Sequence, residues 1–273
     1  MTALAVRAAV EPVAEASRGR PVLKIRGVAK RFSNGTLAVT GVDLDLRAGE
    51  FTSLLGPSGC GKSTLLRMIA GLGNPSAGRI EWPTADHDSH GRPMRDVGFV
   101  FQEATLMPWA TALRNVMLPL TLKRVPAKQA AARAEAALSA VGLSSFLHAY
   151  PRELSGGMKM RVSIARALVT QPKILLMDEP FAALDEITRQ KLNDDLLALW
   201  AQQRLTVLFV THSVFESVYL SQRIVVMAAR PGRVIADVAT DAPFPRDVSF
   251  RTTSEYAASC RVVSTKLLEA IAS

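Results

Sequence analysis

This sequence predicts an α/β fold with a mainly parallel central sheet, a small antiparallel β-subdomain and an inserted helical subdomain. The apolar run Phe51-Thr52-Ser53-Leu54-Leu55 leads straight into a glycine-rich loop, and a helical pattern follows from Lys62 to Ala70 until Gly71 stops it. Past Gly157, strand and helix patterns alternate, which places helices on the faces of a parallel sheet. Between these halves the chain is Ala-rich and reads as mainly helical.

Each element has its own justification. Val22 to Val28 and Leu37 to Leu46 are short β-prone runs separated by the turn Ser33-Asn34-Gly35, as expected of a small antiparallel sheet. Gly78 to Trp82 and Val97 to Phe101 are further strand candidates. Pro126 to Val141 begins with proline and ends at Gly142, the pattern of a helix. A second helix is expected from Gly157 towards Val169, then a strand Lys173 to Met177, a helix around Asp185 to Gln203 and a strand Leu205 to Val210. Ile224 to Met227 and Arg233 to Val238 read as closing strands, and Glu255 to Ala272 as a terminal helix. The expected division is a loose extension over 1–20, a main domain over 21–242 with the helical subdomain at about 105–161, and a helical tail over 243–273.

The 273 residues, 48% hydrophobic and 21% charged, suit one large domain or one domain with an insertion. With 33 Lys and Arg against 24 Asp and Glu, the net charge of +9 favours contact with something anionic. Cys60 and Cys260 lie far apart without CxxC spacing, so neither a disulfide framework nor a structural zinc site is expected, and a reducing compartment is the natural reading. Apolar runs such as Ile174 to Met177 fall well short of the roughly 20 residues that cross a bilayer. The opening stretch lacks the apolar core of a secretory signal. His87-Asp88-Ser89-His90-Gly91 has metal-capable side chains but sits among turn residues, and a solvated loop explains it better.

Gly56-Pro57-Ser58-Gly59-Cys60-Gly61-Lys62-Ser63-Thr64 matches G-x-x-x-x-G-K-[ST] between a strand and a helix, the context this P-loop motif requires. Its glycines let backbone N–H groups wrap phosphate oxygens while the following helix presents its positive end. Lys62 would reach the β- and γ-phosphates, Ser63 would offer its hydroxyl to Mg²⁺, and Thr64 could add a phosphate contact. Ile174 to Met177 is an apolar strand ending in Asp178 and Glu179, where a doubly wound sheet places its ligand site. Asp178 would hold Mg²⁺ through its water shell, and Glu179 is placed as general base for the attacking water. Cys60, at a helix N-terminus inside this loop, is placed where a thiol gains reactivity and where ATP would shield it from alkylation, but the plainer reading is a cysteine with no chemical role of its own.

Leu154-Ser155-Gly156-Gly157-Met158 precedes the Asp178-Glu179 strand, and with Gly56 to Thr64, Gln102, Leu175 to Pro180, Leu184-Asp185 and His212 it falls in a fixed order. In this the chain, from roughly Val22 to Asp237, resembles the ATPases of ABC transporters. The resemblance implies an ABC ATPase of the P-loop NTPase fold acting as a head-to-tail dimer, with ATP and Mg²⁺ sandwiched between the P-loop of one subunit and the Ser155-Gly156-Gly157 signature of the other. It further implies that Gln102 contacts Mg²⁺ and the attacking water, that His212 contacts the γ-phosphate, that Asp185 belongs to the loop linking the two sites, and that Phe32 stacks on adenine. Met158 departs from the commonest signature, which has glutamine there.

Without fused membrane spans, the chain is similar to importer subunits that work beside separate permease subunits. Gln102 to Trp109, Leu184 to Arg189 and Phe209 to Val234 resemble the branch serving nitrate, sulfonate, taurine, bicarbonate and related small solutes. The implied partners are a second ATPase subunit, most simply another copy, the permease and, indirectly, a solute-binding protein. The implied place is peripheral, on the cytoplasmic face of the inner membrane. A rival is a soluble ABC ATPase acting on nucleic acid or ribosomes, but no aromatic-basic binding module is evident. A P-loop GTPase or small-molecule kinase would leave Leu154 to Met158 unexplained and needs a guanine motif this chain lacks.

Overall fold

Periodicity decides the strands. The computed structural model describes residues 19–87, 89–90, 93–240, 242, 244 and 246–272. In chain order they form β1 (Pro21–Arg31), β2 (Leu37–Arg47), β3 (Phe51–Leu55), α1 (Lys62–Ala70), β4 (Ala77–Glu81), β5 (Val97–Val100), α2 (Ala112–Leu122), α3 (Ala127–Ala140), α4 (Gly156–Leu168), β6 (Ile174–Asp178), α5 (Glu186–Gln203), β7 (Thr206–Thr211), α6 (Val214–Leu220), β8 (Arg223–Ala228), β9 (Arg233–Ala239) and α7 (Ser254–Ala272). The expected extension lies almost wholly outside the described residues, as do Asp88 and Gly91 of the histidine loop; His87 and Ser89-His90 are exposed.

Two sheets form. One is antiparallel, in the order β2-β1-β4; the other runs β5-β6-β7-β3-β8-β9, parallel except for β9 against β8. Every residue of β3, β6 and β7 is buried, as parallel strands covered on both faces require. Alternate residues feed opposite faces. Phe51, Leu55, Leu175, Met177, Val207 and Phe209 join a core with α2 to α7, whereas Leu54, Ile174, Leu176, Leu208 and Val210 join a second core with α1 and the antiparallel sheet. Burying one such side chain contributes about 1.5–3 kcal/mol, so these alternations hold the register.

Sequence and structure differ in places that have physical reasons. Pro126 is the N-cap of α3 at φ −54°, ψ 137°, outside the helix rather than its first residue. Within the stretch expected only to be mainly helical, α2 is continuous through Pro119. Thr111 caps it, its side chain accepting from the Arg114 N–H at 3.3 Å. Asn115, buried on α2, holds the preceding loop by donating to the carbonyls of Ala110 and Thr111 at 3.0 Å and accepting from the Met107 N–H at 2.8 Å. No helix among the described residues is long and apolar enough to cross a membrane.

Candidate active site

Strand register gathers the expected residues at one edge of the parallel sheet. Leu55 of β3 pairs with Thr211 of β7, Asp178 of β6 with Val210, and Val100 of β5 with Met177. Gly56, Glu179, His212 and the segment bearing Gln102 therefore all leave the sheet on the same side, beyond the carboxyl ends of the strands.

The P-loop closes tightly because its glycines permit it. Gly61 caps α1 at φ 90°, where a Cβ would come within 2.6 Å of Val39 Cγ2 and 2.9 Å of the Ala38 carbonyl oxygen. A Cβ at Gly56 would stand 2.5 Å from the carbonyl oxygen of Met227. Pro57 and Thr64 are half-buried, and Ser58 and Gly59 are exposed. Lys62 is buried, with Nζ donating to the carbonyls of Gly56 at 2.8 Å and Pro57 at 3.1 Å and lying 3.7 Å from Glu179 Oε1.

The Ser63 hydroxyl donates to Asp178 Oδ1 at 2.7 Å. Burial pushes the Asp178 carboxyl above the usual carboxylate range, against this hydrogen bond and the Arg67 and Lys62 charges, which hold it down. Hard oxygen donors so placed suit a divalent cation such as Mg²⁺. Among the described residues no three His, Cys, Asp or Glu side chains could hold a metal by themselves, so phosphate and water oxygens would complete its shell.

Glu179 follows β6 with φ +46°, its N–H donating to the carbonyl of Val210 at 3.1 Å. This left-handed turn carries the side chain away from the strand to a place where Oε2 lies 3.3 Å from His212 Nδ1 and Oε1 faces Lys62. A non-glycine residue held at positive φ between two cationic or proton-carrying partners is a strained, over-determined position of the kind found at reacting centres.

Ser155 is the N-cap of α4, accepting from the Met158 N–H at 3.3 Å. Ser155 and Gly156 are exposed, whereas Gly157 is packed so closely on α5 that a Cβ would stand 2.7 Å from Thr188 Cγ2. Asp185 caps α5 by accepting from the Thr188 N–H at 3.0 Å, which holds its carboxyl below the usual range. Gln102 is exposed just past β5. Phe32 stands 44% exposed at the end of β1 with Lys30 Nζ 5.6 Å from its ring centre, and the chain returns from it to Ala38-Val39 against Gly61. Direct contacts join Lys62 to Glu179 and Glu179 to His212, and Ser63 to Asp178, which precedes Glu179 in the chain, while the described contacts of Phe32 and Ser155 lie elsewhere.

Cys60 takes the plainer of its two readings. The Cys60 side chain is fully buried in the second core, and burial pushes its thiol above the ordinary range in spite of Lys62. Its backbone belongs to the loop, while its sulfur packs in the core.

Two arginines went unnoticed in the sequence. Arg166, near the end of α4, donates to the carbonyls of Ala104 and Thr105 at 2.9 Å and so ties the signature helix to the segment after Gln102. Arg246 is buried against α6. Neither carried a motif, since each acts on backbone carbonyls that only the folded chain brings near.

Residues 39–182 match the ABC transporter family. The chain is 46% identical over 249 residues to an uncharacterized ABC transporter ATP-binding protein of Methanocaldococcus jannaschii, covering 90% of this chain and 91% of that one. It is 43% identical over 227 residues to an aliphatic sulfonates import ATP-binding protein of Bacillus cereus, covering 82% and 88%. Among solved structures, cbiO1 of Clostridium perfringens, part of the ABC transporter complex cbiONQ, superimposes with TM-score 0.72 at 30% identity over 80% of this chain and 88% of that one. A dimeric ATP-binding cassette bound to ADP and Pi superimposes with TM-score 0.69 at 35% identity over 81% of this chain and all of that one. With the P-loop, signature and strand-end carboxylates in one fold, the chain belongs to the ABC transporter family as one of its ATP-binding proteins.

Proposed function

We propose that this protein is the ATP-hydrolysing subunit of an ABC importer, peripheral on the cytoplasmic face of the membrane, energising uptake of a small solute of the nitrate, sulfonate or taurine kind through a separate permease. The observation that carries the reading is Glu179, held between Lys62 at 3.7 Å and His212 at 3.3 Å and next to the Ser63–Asp178 pair. The likeness to sulfonate-import ATP-binding proteins supports the solute class. In this reading 21–242 forms the nucleotide-binding domain, with about 105–161 its helical insertion and 243–273 a tail.

Lys62 exchanges its loop carbonyl partners for β- and γ-phosphate oxygens, and the P-loop N–H groups hold the remaining phosphate charge. Phe32 stacks on the adenine face, without the phenolic hydrogen bond a tyrosine would add. Ser63, Asp178 and Gln102 would hold Mg²⁺, which when bound would supply charge neutralisation to the transferring phosphoryl group. Glu179 accepts the proton of the attacking water as its oxygen bonds to the γ-phosphorus and the bond to the β-γ bridging oxygen breaks. His212 steadies Glu179 and faces the γ-phosphate. Ser155, Gly156 and Gly157 at the start of α4 present N–H groups to the nucleotide of a second copy, and Asp185 sits at the junction between the two sites. ATP then favours the closed dimer, hydrolysis releases it, and the permease follows.

The test is to tag the chain, trap it with Glu179→Gln in native membranes and identify its companions by mass spectrometry. A multi-spanning permease with a solute-binding protein supports the reading. Ribosomal or DNA-bound companions without a permease refute it.

A further inference from the structure

Helix α6 has seven residues and begins two positions after His212, with Ser213 as its N-cap. Helices this short do not hold themselves in water, so tertiary contacts must fix it. At its C-terminal end Arg246 Nη1 donates to the carbonyls of Val218 at 2.7 Å, Tyr219 at 2.9 Å and Ser221 at 3.0 Å. Its Nη2 donates to Thr240 Oγ1 and the Ala242 carbonyl at 3.1 Å, and the guanidinium lies 4.0 Å from the Phe244 ring centre. At the N-terminal end Tyr256 of α7 donates its hydroxyl to the carbonyl of Phe215 at 3.0 Å. Arg246 and Tyr256, both from the C-terminal tail, therefore grip α6 at its two ends.

The α6 side passes that constraint to the switch segment. Glu216 accepts from Thr211 Oγ1 at 2.5 Å, and Thr211 Oγ1 accepts from the Ser213 N–H at 3.0 Å, so His212 sits between two anchored neighbours. A buried arginine is an expensive way to gain stability, because an apolar side chain of similar volume avoids the desolvation cost. Burial lowers the Arg246 pKa to about 10, yet its bonds go to carbonyl and hydroxyl oxygens whose directions are fixed by α6. Three carbonyls of one helix end, satisfied by a single planar cation, define both the position and the rotation of that helix.

We propose that Arg246 is a positioning residue for His212: by clamping the C-terminal carbonyls of α6 it sets the approach of His212 to Glu179, so the tail governs turnover and not nucleotide affinity. This rests on the reading of Glu179 and His212 given above. The P-loop, which holds the nucleotide, makes none of these contacts, so the effect belongs in kcat.

The experiment measures steady-state ATP hydrolysis by the full chain as wild type, Arg246→Gln, His212→Ala and the double variant. Arg246→Gln is expected to lower kcat about 10-fold with KM for ATP within about 2-fold. In the His212→Ala background the same substitution is expected to cost nothing further, because the two act as one unit. An unchanged kcat, or an equal proportional loss in both backgrounds, overturns the inference. If Arg246→Gln does not fold, Tyr256→Phe, which removes only the hydroxyl on Phe215, carries the test with an expected kcat loss of about 3-fold and the same non-additivity. Full activity of His212→Ala alone would sink the site reading and this inference with it, whereas an impaired His212→Ala beside an unimpaired Arg246→Gln sinks the inference alone.

Discussion

Gly157→Ala adds one methyl where α4 starts, and the structure says what it meets. The new Cβ would lie 2.7 Å from Thr188 Cγ2, about 1 Å inside a comfortable carbon–carbon separation. Thr188 is β-branched, sits in the first turn of α5, and donates its N–H to Asp185, so its methyl has little room to turn away. Overpacking of this kind costs about 1–3 kcal/mol, against which alanine returns at most about 1 kcal/mol in helix propensity. The net loss is about 0–3 kcal/mol, and the start of α4 is pushed off α5 by a few tenths of an ångström to about 1 Å. Misplacement on that scale costs on the order of 10²-fold in rate when the displaced groups face the reacting phosphate. At Gly156 the nearest atom is Leu184 Cδ2 at 3.2 Å, the tip of a flexible side chain, so Gly156→Ala should be milder. The assays are thermal unfolding and ATP hydrolysis, and the decisive variant is Gly157→Ala with Thr188→Ser, which removes the offending methyl and keeps the N–H on Asp185. Recovery of most of the lost turnover is expected; no recovery would show that something other than this contact controls the signature.

The remaining expectations are simpler. Burial raises the Glu216 carboxyl above its ordinary value, with the Thr211 hydroxyl and the Arg189 charge opposing. The folded state then binds more protons than the unfolded chain between the unfolded and the raised folded value, so this group costs stability as pH rises through that window. Glu216→Gln should melt higher than wild type at neutral pH and match it in acid; a lower melting point at neutral pH would contradict this. Cys60 should resist iodoacetamide with or without ATP and react on unfolding, and fast native labelling of Cys60 would show the loop to be open. Phe32→Ala should weaken ATP binding by about 3–10-fold while Phe32→Tyr does not, in line with a stacking contact of about 0.5–1.5 kcal/mol. Equal affinity for all three by fluorescence titration would remove Phe32 from the site.

The parallel sheet and the P-loop were legible because their signals are local. Phe51 to Leu55 is a continuous apolar run, and Gly56 to Thr64 is a spacing that chance seldom places after one. What stayed hidden is what only tertiary contact creates. Helix α2 was not resolved within its helical stretch, since Pro119 breaks the pattern that its tertiary contacts override. Helix α6 is too short to show a period, and β4 joins β1 across some fifty residues of intervening chain. The site residues Lys62, Ser63, Asp178 and Glu179 could be read from type and spacing, but the positive φ that turns Glu179 towards His212 could not. The place of Cys60 in the motif was local and legible, whereas the full burial of its sulfur in the second core shows only in the folded chain. Arg246, between Pro245 and Asp247 and in no motif, had no signal before α6 was placed beside it.

The measurement closest to the central claim is single-turnover ATP hydrolysis by Glu179→Gln alongside ATP binding by the same variant. A side chain of equal size that cannot take the proton should slow hydrolysis by about 10²–10⁴-fold and leave ATP affinity within a few-fold of wild type. Hydrolysis near the wild-type rate would mean that Glu179 is not the base and that its place between Lys62 and His212 serves structure alone.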